Sequence, residues 1–182
     1  MRKLFGALIL ASALIFALSV HAAAPVSFAG TWTLDKSKSQ GLSPRMQGAD
    51  SVSWQINQTD KEITIEEKIS GGQMAGGPGG GPGGGGGGRG MMGAGGPRTY
   101  NLDGSETTGE MGRGKFARKA SWSGDGKALE LTSKTTFQGQ EGEMTITSSE
   151  KLQLSADGKS LTVTRHSESP RGPQDSTLVF NK

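Results

Sequence analysis

One short phrase recurs three times along this 182-residue chain: an acidic turn, a lysine, then apolar residues at every second position. It reads Asp60-Lys61 before Ile63 and Ile65, Asp125-Gly126-Lys127 before Leu129 and Leu131, and Asp157-Gly158-Lys159 before Leu161 and Val163. Asp-Gly between alternating apolar runs marks a hairpin, because glycine accepts the positive φ that a tight turn imposes. Alternation with period two puts one face of each strand in a core and the other in water. Such a chain is confined to antiparallel hairpins laid side by side. Apolar residues at helical spacing, i, i+3 and i+4, are found nowhere after the first two dozen positions.

Those first positions have a different grammar. Arg2 and Lys3 precede an almost wholly apolar run from Leu4 to Val20, and Ala22, Ala23 and Ala24 lead to Pro25. This is the pattern of a secretory signal peptide over residues 1–24, with cleavage after Ala22 or Ala24. The competing reading is an uncleaved anchor, since the run approaches the roughly 18 residues of a membrane helix. The small-residue exit favours cleavage, so the protein is expected to be exported, periplasmic or secreted. The whole chain has 20 Lys plus Arg against 17 Asp plus Glu, and losing Arg2 and Lys3 leaves 18 against 17. A mixed, nearly neutral surface gives no footprint for nucleic acid or an anionic membrane. There is no cysteine, so neither disulfides nor a lipid-modified N-terminal cysteine can serve an exported form. His166 is the one histidine after the signal, which excludes a histidine-rich metal site, and no motif calls for a cofactor.

The segment from Gly71 to Gly96 carries more than half of the 31 glycines, with Pro78, Pro82 and Pro97 among or beside them. Such a composition cannot bury enough apolar surface to offset its ordering entropy, so residues 71–97 read as a disordered loop. Upstream of it lie three strands, too few for a core of their own. The loop therefore interrupts one domain, spanning residues 28–182, instead of joining two. Lengthening a loop from about four to about 26 residues costs roughly 1.5–2 kcal/mol, which a domain can bear. Nine strands are predicted: Gly30–Asp35, Ser51–Gln58, Glu62–Ser70, Arg98–Leu102, Lys115–Trp122, Ala128–Phe137, Glu143–Leu154, Ser160–Ser167 and Ser176–Asn181. An irregular polar connection follows the first, as far as Gly48. The fold class is all-β, a single antiparallel meander that closes into an up-and-down barrel and so removes its edges.

Phe28-Ala29-Gly30-Thr31-Trp32 opens the first strand directly after the signal. A Gly-x-Trp at the head of a β-meander resembles the lipocalins and the wider calycin group. The passages Gly30 to Ser39, Ser155 to Val163 and Leu178 to Lys182 also resemble a lipocalin-like family of exported bacterial proteins of unsettled function. The resemblance implies a lipocalin-like barrel in which Gly30 and Trp32 mark the closed end, with the Trp packed beneath an Arg from a late strand. Arg165, in phase after Leu161 and Val163, is the candidate. The chain departs from the lipocalin pattern in lacking a cysteine pair, in lacking a helix after the last strands, and in its glycine-rich interruption.

Following each strand's apolar phase gives an inward face that includes Trp32, Trp54, Phe116, Trp122, Leu131, Met144 and Phe180. These side chains either fill a core or, as the resemblance implies, partly line a cavity for an apolar ligand. Trp54, Trp122 and Met144 are the apolar candidates for ligand contact. Four charged residues share the inward phase: Glu67, Arg118, Glu150 and Arg165. An isolated buried charge is very unfavourable, so they either pair inside or emerge at a solvated rim. Paired near one mouth, or under Trp32, they would orient a ligand.

No catalytic constellation can be assembled. Nucleophilic catalysis needs a base beside the nucleophile, and His166, next to Arg165 on a strand, points the other way into solvent. No spacing selects a carboxylate pair for glycoside chemistry. The glycine tract lacks the strand-to-helix context of a phosphate cradle, and Arg89-Gly90 is a single instance of an RNA-binding dipeptide. The expected function is binding or shielding of a small apolar molecule without converting it. A solidly packed interaction module of the cell envelope is the alternative, and a hydrolase on a calycin-type scaffold is the weakest.

Overall fold

The computed structural model describes residues 25–71, 96–112, 114–139 and 142–182. The expected signal segment 1–24 and most of the glycine-rich insertion, with Arg89 in it, lie outside them. The strands in chain order are β1 (Gly30–Leu34), β2 (Ser51–Gln58), β3 (Glu62–Ser70), β4 (Arg98–Asn101), β5 (Thr107–Met111), β6 (Gly114–Trp122), β7 (Ala128–Gly139), β8 (Gly142–Leu154), β9 (Ser160–Ser169) and β10 (Gly172–Asn181). One helical turn, α1 (Pro44–Gly48), lies between β1 and β2. All pairings are antiparallel, in the order β4-β3-β2-β1-β10-β9-β8-β7-β6-β5. This is an up-and-down meander rolled into a nearly closed barrel. Strands from both sides of residues 72–95 belong to one sheet, since β3 pairs with β4 across them.

Two elements correct the sequence expectation. β5 makes ten strands where nine are predicted; its sequence, Thr-Thr-Gly-Glu-Met, has no apolar alternation to read. It is an edge strand paired to β6 alone, and its inward positions are Thr107 and Gly109, so no apolar row announces it. The polar connection to Gly48 contains α1, where Ser43 caps Met46 N–H and Pro44 occupies the first turn. One turn is too short to develop a helical period. It nevertheless buries Met46, and Lys36 Nζ donates to the carbonyls of Gln47 and Ala49 behind it.

The Asp-Gly-Lys phrases form the turns they predict. Gly126 N–H donates to the Ser123 carbonyl and Gly158 N–H to that of Ser155, at 2.8 and 2.9 Å. Both glycines have φ near +67°, where a Cβ would be strained. A serine two residues before each aspartate completes the device: Ser123 Oγ donates to Asp125 and Ser155 Oγ to Asp157, both at 2.6 Å. Each carboxylate also accepts the following lysine N–H at 3.1 Å. These bonds hold both aspartates below the usual carboxylate range, with the serine hydroxyl the largest cause.

The two Asp-Gly turns mark one end of the barrel, which is packed with apolar side chains. Trp122, Leu129, Leu152, Val163 and Leu178 stand opposite one another across β6 to β10. Trp32, Trp54, Phe28 and Phe180 are fully buried, and the rings of Trp54 and Phe180 lie 4.8 Å apart. Across the sheet ends no ladder joins β4 to β5. Side chains span the interior there instead.

Candidate functional site: a charged layer inside the barrel

Two residues beyond the apolar end, the inward row changes character. Ala120, Leu131, Glu150, Arg165 and Ser176 stand opposite one another, and the next row holds Thr107, Arg118, Ser133, Ser148, Ser167 and Gln174. Period-two alternation keeps these rows on the barrel's inner face although their residues are polar, and only Gln174, at the end of its row, is exposed.

Glu150 is the centre of this layer. It is 3% exposed, and its Oε1 accepts from Arg165 Nε at 2.9 Å and from Arg98 Nη1 at 2.8 Å. Arg165 Nη2 also lies 2.8 Å from the same oxygen. Burial opposes the charge on Glu150, yet the two guanidiniums outweigh it and bring the carboxyl down to about 2. Burial likewise opposes the charge on Arg98, and Glu150 more than restores it, leaving Arg98 above its ordinary value. Trp54 floors the arrangement. Arg98 and Arg165 lie 5.4 and 5.8 Å from its ring centre, and its indole N–H donates to Glu67 Oε2 at 3.0 Å.

Arg118 is different. It is 9% exposed and rests on aromatic faces, 4.1 Å from the ring centre of Phe116 and 6.0 Å from that of Tyr100. Among the described residues no carboxylate accepts from it. Burial, with a smaller contribution from Arg98, lowers its pKa. Burial raises that of Tyr100, which stays a neutral phenol. Ser133 and Ser148 share a hydrogen bond of 2.9 Å beside it. Beyond this row Phe116, Phe137, Met144 and Ile146 are only half-buried, so solvent reaches the interior from that end.

Of the residues expected at a site, Glu67, Arg118, Glu150, Arg165 and Trp54 converge in this layer. They do not form two reciprocal ion pairs: Glu150 takes Arg165, Glu67 takes the Trp54 indole, and Arg118 takes rings. Trp122 is elsewhere, at the apolar end, 6.0 Å from the stacked ring of Phe28. Met144 stands opposite Phe137 at the other end. The expected contact between Arg165 and Trp32 is absent. Thr33 pairs with Asn181, which brings Lys182 Nζ to 4.7 Å from the Trp32 ring centre. Arg165 pairs with Ser176, well back along β10, and so reaches Trp54. Gly30 is at φ +138°, and a Cβ there would come within 2.9 Å of the Lys182 side chain.

Arg98 and Tyr100 are the residues the sequence reading missed. Their alternation around Thr99 was legible, but a four-residue strand after a low-complexity tract gives no apolar row with which to fix its phase. His166 faces outward, as expected, with Nδ1 2.7 Å from Asp175 and Nε2 3.7 Å from Glu168. The Asp175 hydrogen bond raises its pKa. An open depression of about 460 Å³ lies on this side of β6 to β9, lined largely by outward residues such as Lys119, Lys134 and Glu168. Among the described residues no cluster of His, Cys, Asp or Glu is arranged to hold a metal ion, and no helix is long and apolar enough to cross a membrane.

No family model matches the chain, and no curated protein matches it. Among solved structures it is similar to zebrafish ileal bile acid-binding protein crystallised with cholic acid, at 14% identity and a TM-score of 0.44, over 85% of this chain and 98% of that one.

Proposed function

We propose that the barrel binds a small amphipathic molecule without converting it, seating an anionic head in the charged layer and an apolar body against Phe116, Phe137, Met144 and Ile146. The observation that carries this reading is Arg118, a residue 9% exposed whose guanidinium meets aromatic faces and, among the described residues, no carboxylate. The layer holds three arginines, Arg98, Arg118 and Arg165, against two glutamates, Glu67 and Glu150. A buried excess of positive charge is costly alone and favours an anion. The ligand is thus amphipathic, where the apolar inward face by itself suggested a purely apolar one. Non-conversion is supported by His166, which lies outside the barrel, away from this layer. A protein-docking role draws less support, because Met111, 43% exposed, is the large apolar side chain standing out among the described residues.

In this reading the protein works after export, with cleavage following Ala22 or Ala24; the intact mass of protein purified from its own host tests that directly. The binding reading is tested on the same material by native mass spectrometry. Wild-type protein is expected to retain an anionic amphipath, and Arg118→Gln to lose it. Repeated preparations carrying nothing above background, or equal retention by the variant, would overturn the reading.

A further inference from the structure

The described residues contain two buried side-chain polar atoms without a hydrogen-bond partner, Glu150 Oε2 and Thr107 Oγ1. Both belong to the charged layer. Thr107 stands directly opposite Arg118 on β5 and β6, and Glu150 lies on the adjacent row. Opposite residues of an antiparallel pair share a face and have neighbouring Cβ atoms, so the Thr107 hydroxyl and the Arg118 side chain face the same space. Buried polar atoms are nearly always satisfied, and two exceptions in one place point to a group that belongs there.

We infer that the ligand's head is bifunctional: an anionic group held by Arg118 and Thr107, with a neutral hydrogen-bond donor, a hydroxyl or an amide N–H, beside it on Glu150 Oε2. This rests on the binding reading above and sharpens it. Arg118 has only donors, and the Thr107 hydroxyl can add one more toward an anion. Glu150 can only accept, because its two arginines keep it ionised. Its Oε1 is taken by Arg98 and Arg165, whereas Oε2 accepts from nothing among the described residues. An ammonium would satisfy Oε2 too, but it would add charge to a layer that already has an excess of arginine. A plain acid would leave that oxygen orphaned. Hydroxy acids and N-acyl amino acids have the required pair of groups.

The test is a calorimetric titration of the wild-type protein with decanoate, its 2-, 3- and 4-hydroxy derivatives, and N-octanoylglycine. A donor that reaches a buried carboxylate oxygen is expected to tighten binding about tenfold or more over decanoate in at least one of the four. Decanoate binding with no gain from any of them overturns the bifunctional head and leaves the binding reading standing. No binding by any of the five overturns both. Thr107→Val supplies a second readout. Removing an orphaned hydroxyl is expected to leave the thermal midpoint unchanged or raised while weakening the best ligand about 3- to 10-fold. A lowered midpoint with unchanged affinity would make Thr107 a structural residue and sink its part in the site.

Discussion

Glu150 stays ionised with 3% of its surface exposed because two guanidiniums converge on one of its oxygens. Its folded pKa of about 2 lies below the ordinary 4.5. A depressed carboxyl stabilises the fold fully above the ordinary value and loses that contribution as pH falls from about 4.5 toward 2. Wild-type protein is therefore expected to lose urea resistance across that window. Glu150→Gln is expected to be less stable at pH 7 by about 2–4 kcal/mol, since it strands two partly buried guanidiniums, and to show a shallower acid dependence. Urea midpoints at pH 7 and pH 3 for both proteins measure this. Equal losses on acidification would show that Glu150 does not carry the effect. Other depressed carboxyls, Asp35 and Asp125 among them, acidify both proteins alike and drop out of the difference.

The hairpins depend on turn chemistry as well as on their apolar rows. Gly158 has φ +68° with open space around its Cα, so Gly158→Ala costs backbone strain without a clash. A loss of about 1–2 kcal/mol is expected by chemical denaturation, and no loss would mean that the turn relaxes to another type. This is also the scale at which the sequence was most readable. Wherever Asp-Gly-Lys met alternating Leu, Ile or Val, a strand and its inward face followed, as for Leu129, Leu131, Leu161 and Val163. Legibility failed where an element lacked an apolar row of its own. β5 has none because its inward positions are Thr107 and Gly109, and α1 is a single capped turn. Within the site, Arg118, Glu150 and Arg165 could be placed inside by phase, flanked as they are by apolar residues two positions away. Arg98 could not. Which cation met which tryptophan depended on register between distant strands, and no local pattern encodes that for Trp32 and Lys182.

The described strands form one sheet with contacts that cross it. Arg98 from β4 reaches Glu150 on β8, and Trp54 from β2 packs on Phe180 of β10. Strands before and after residues 72–95 thus share one interior, and unfolding should be a single event. Urea transitions followed by tryptophan fluorescence and by far-ultraviolet circular dichroism are expected to coincide. Two separated midpoints would contradict a shared core. The excess of arginine in this interior calls for an anion, and calorimetric titration with decanoate and with methyl decanoate isolates that demand, since the two share a chain and differ in charge. Decanoate is expected to bind at least about tenfold more tightly, with the gap closing in Arg118→Gln. Equal affinity for acid and ester in the wild-type protein would contradict it.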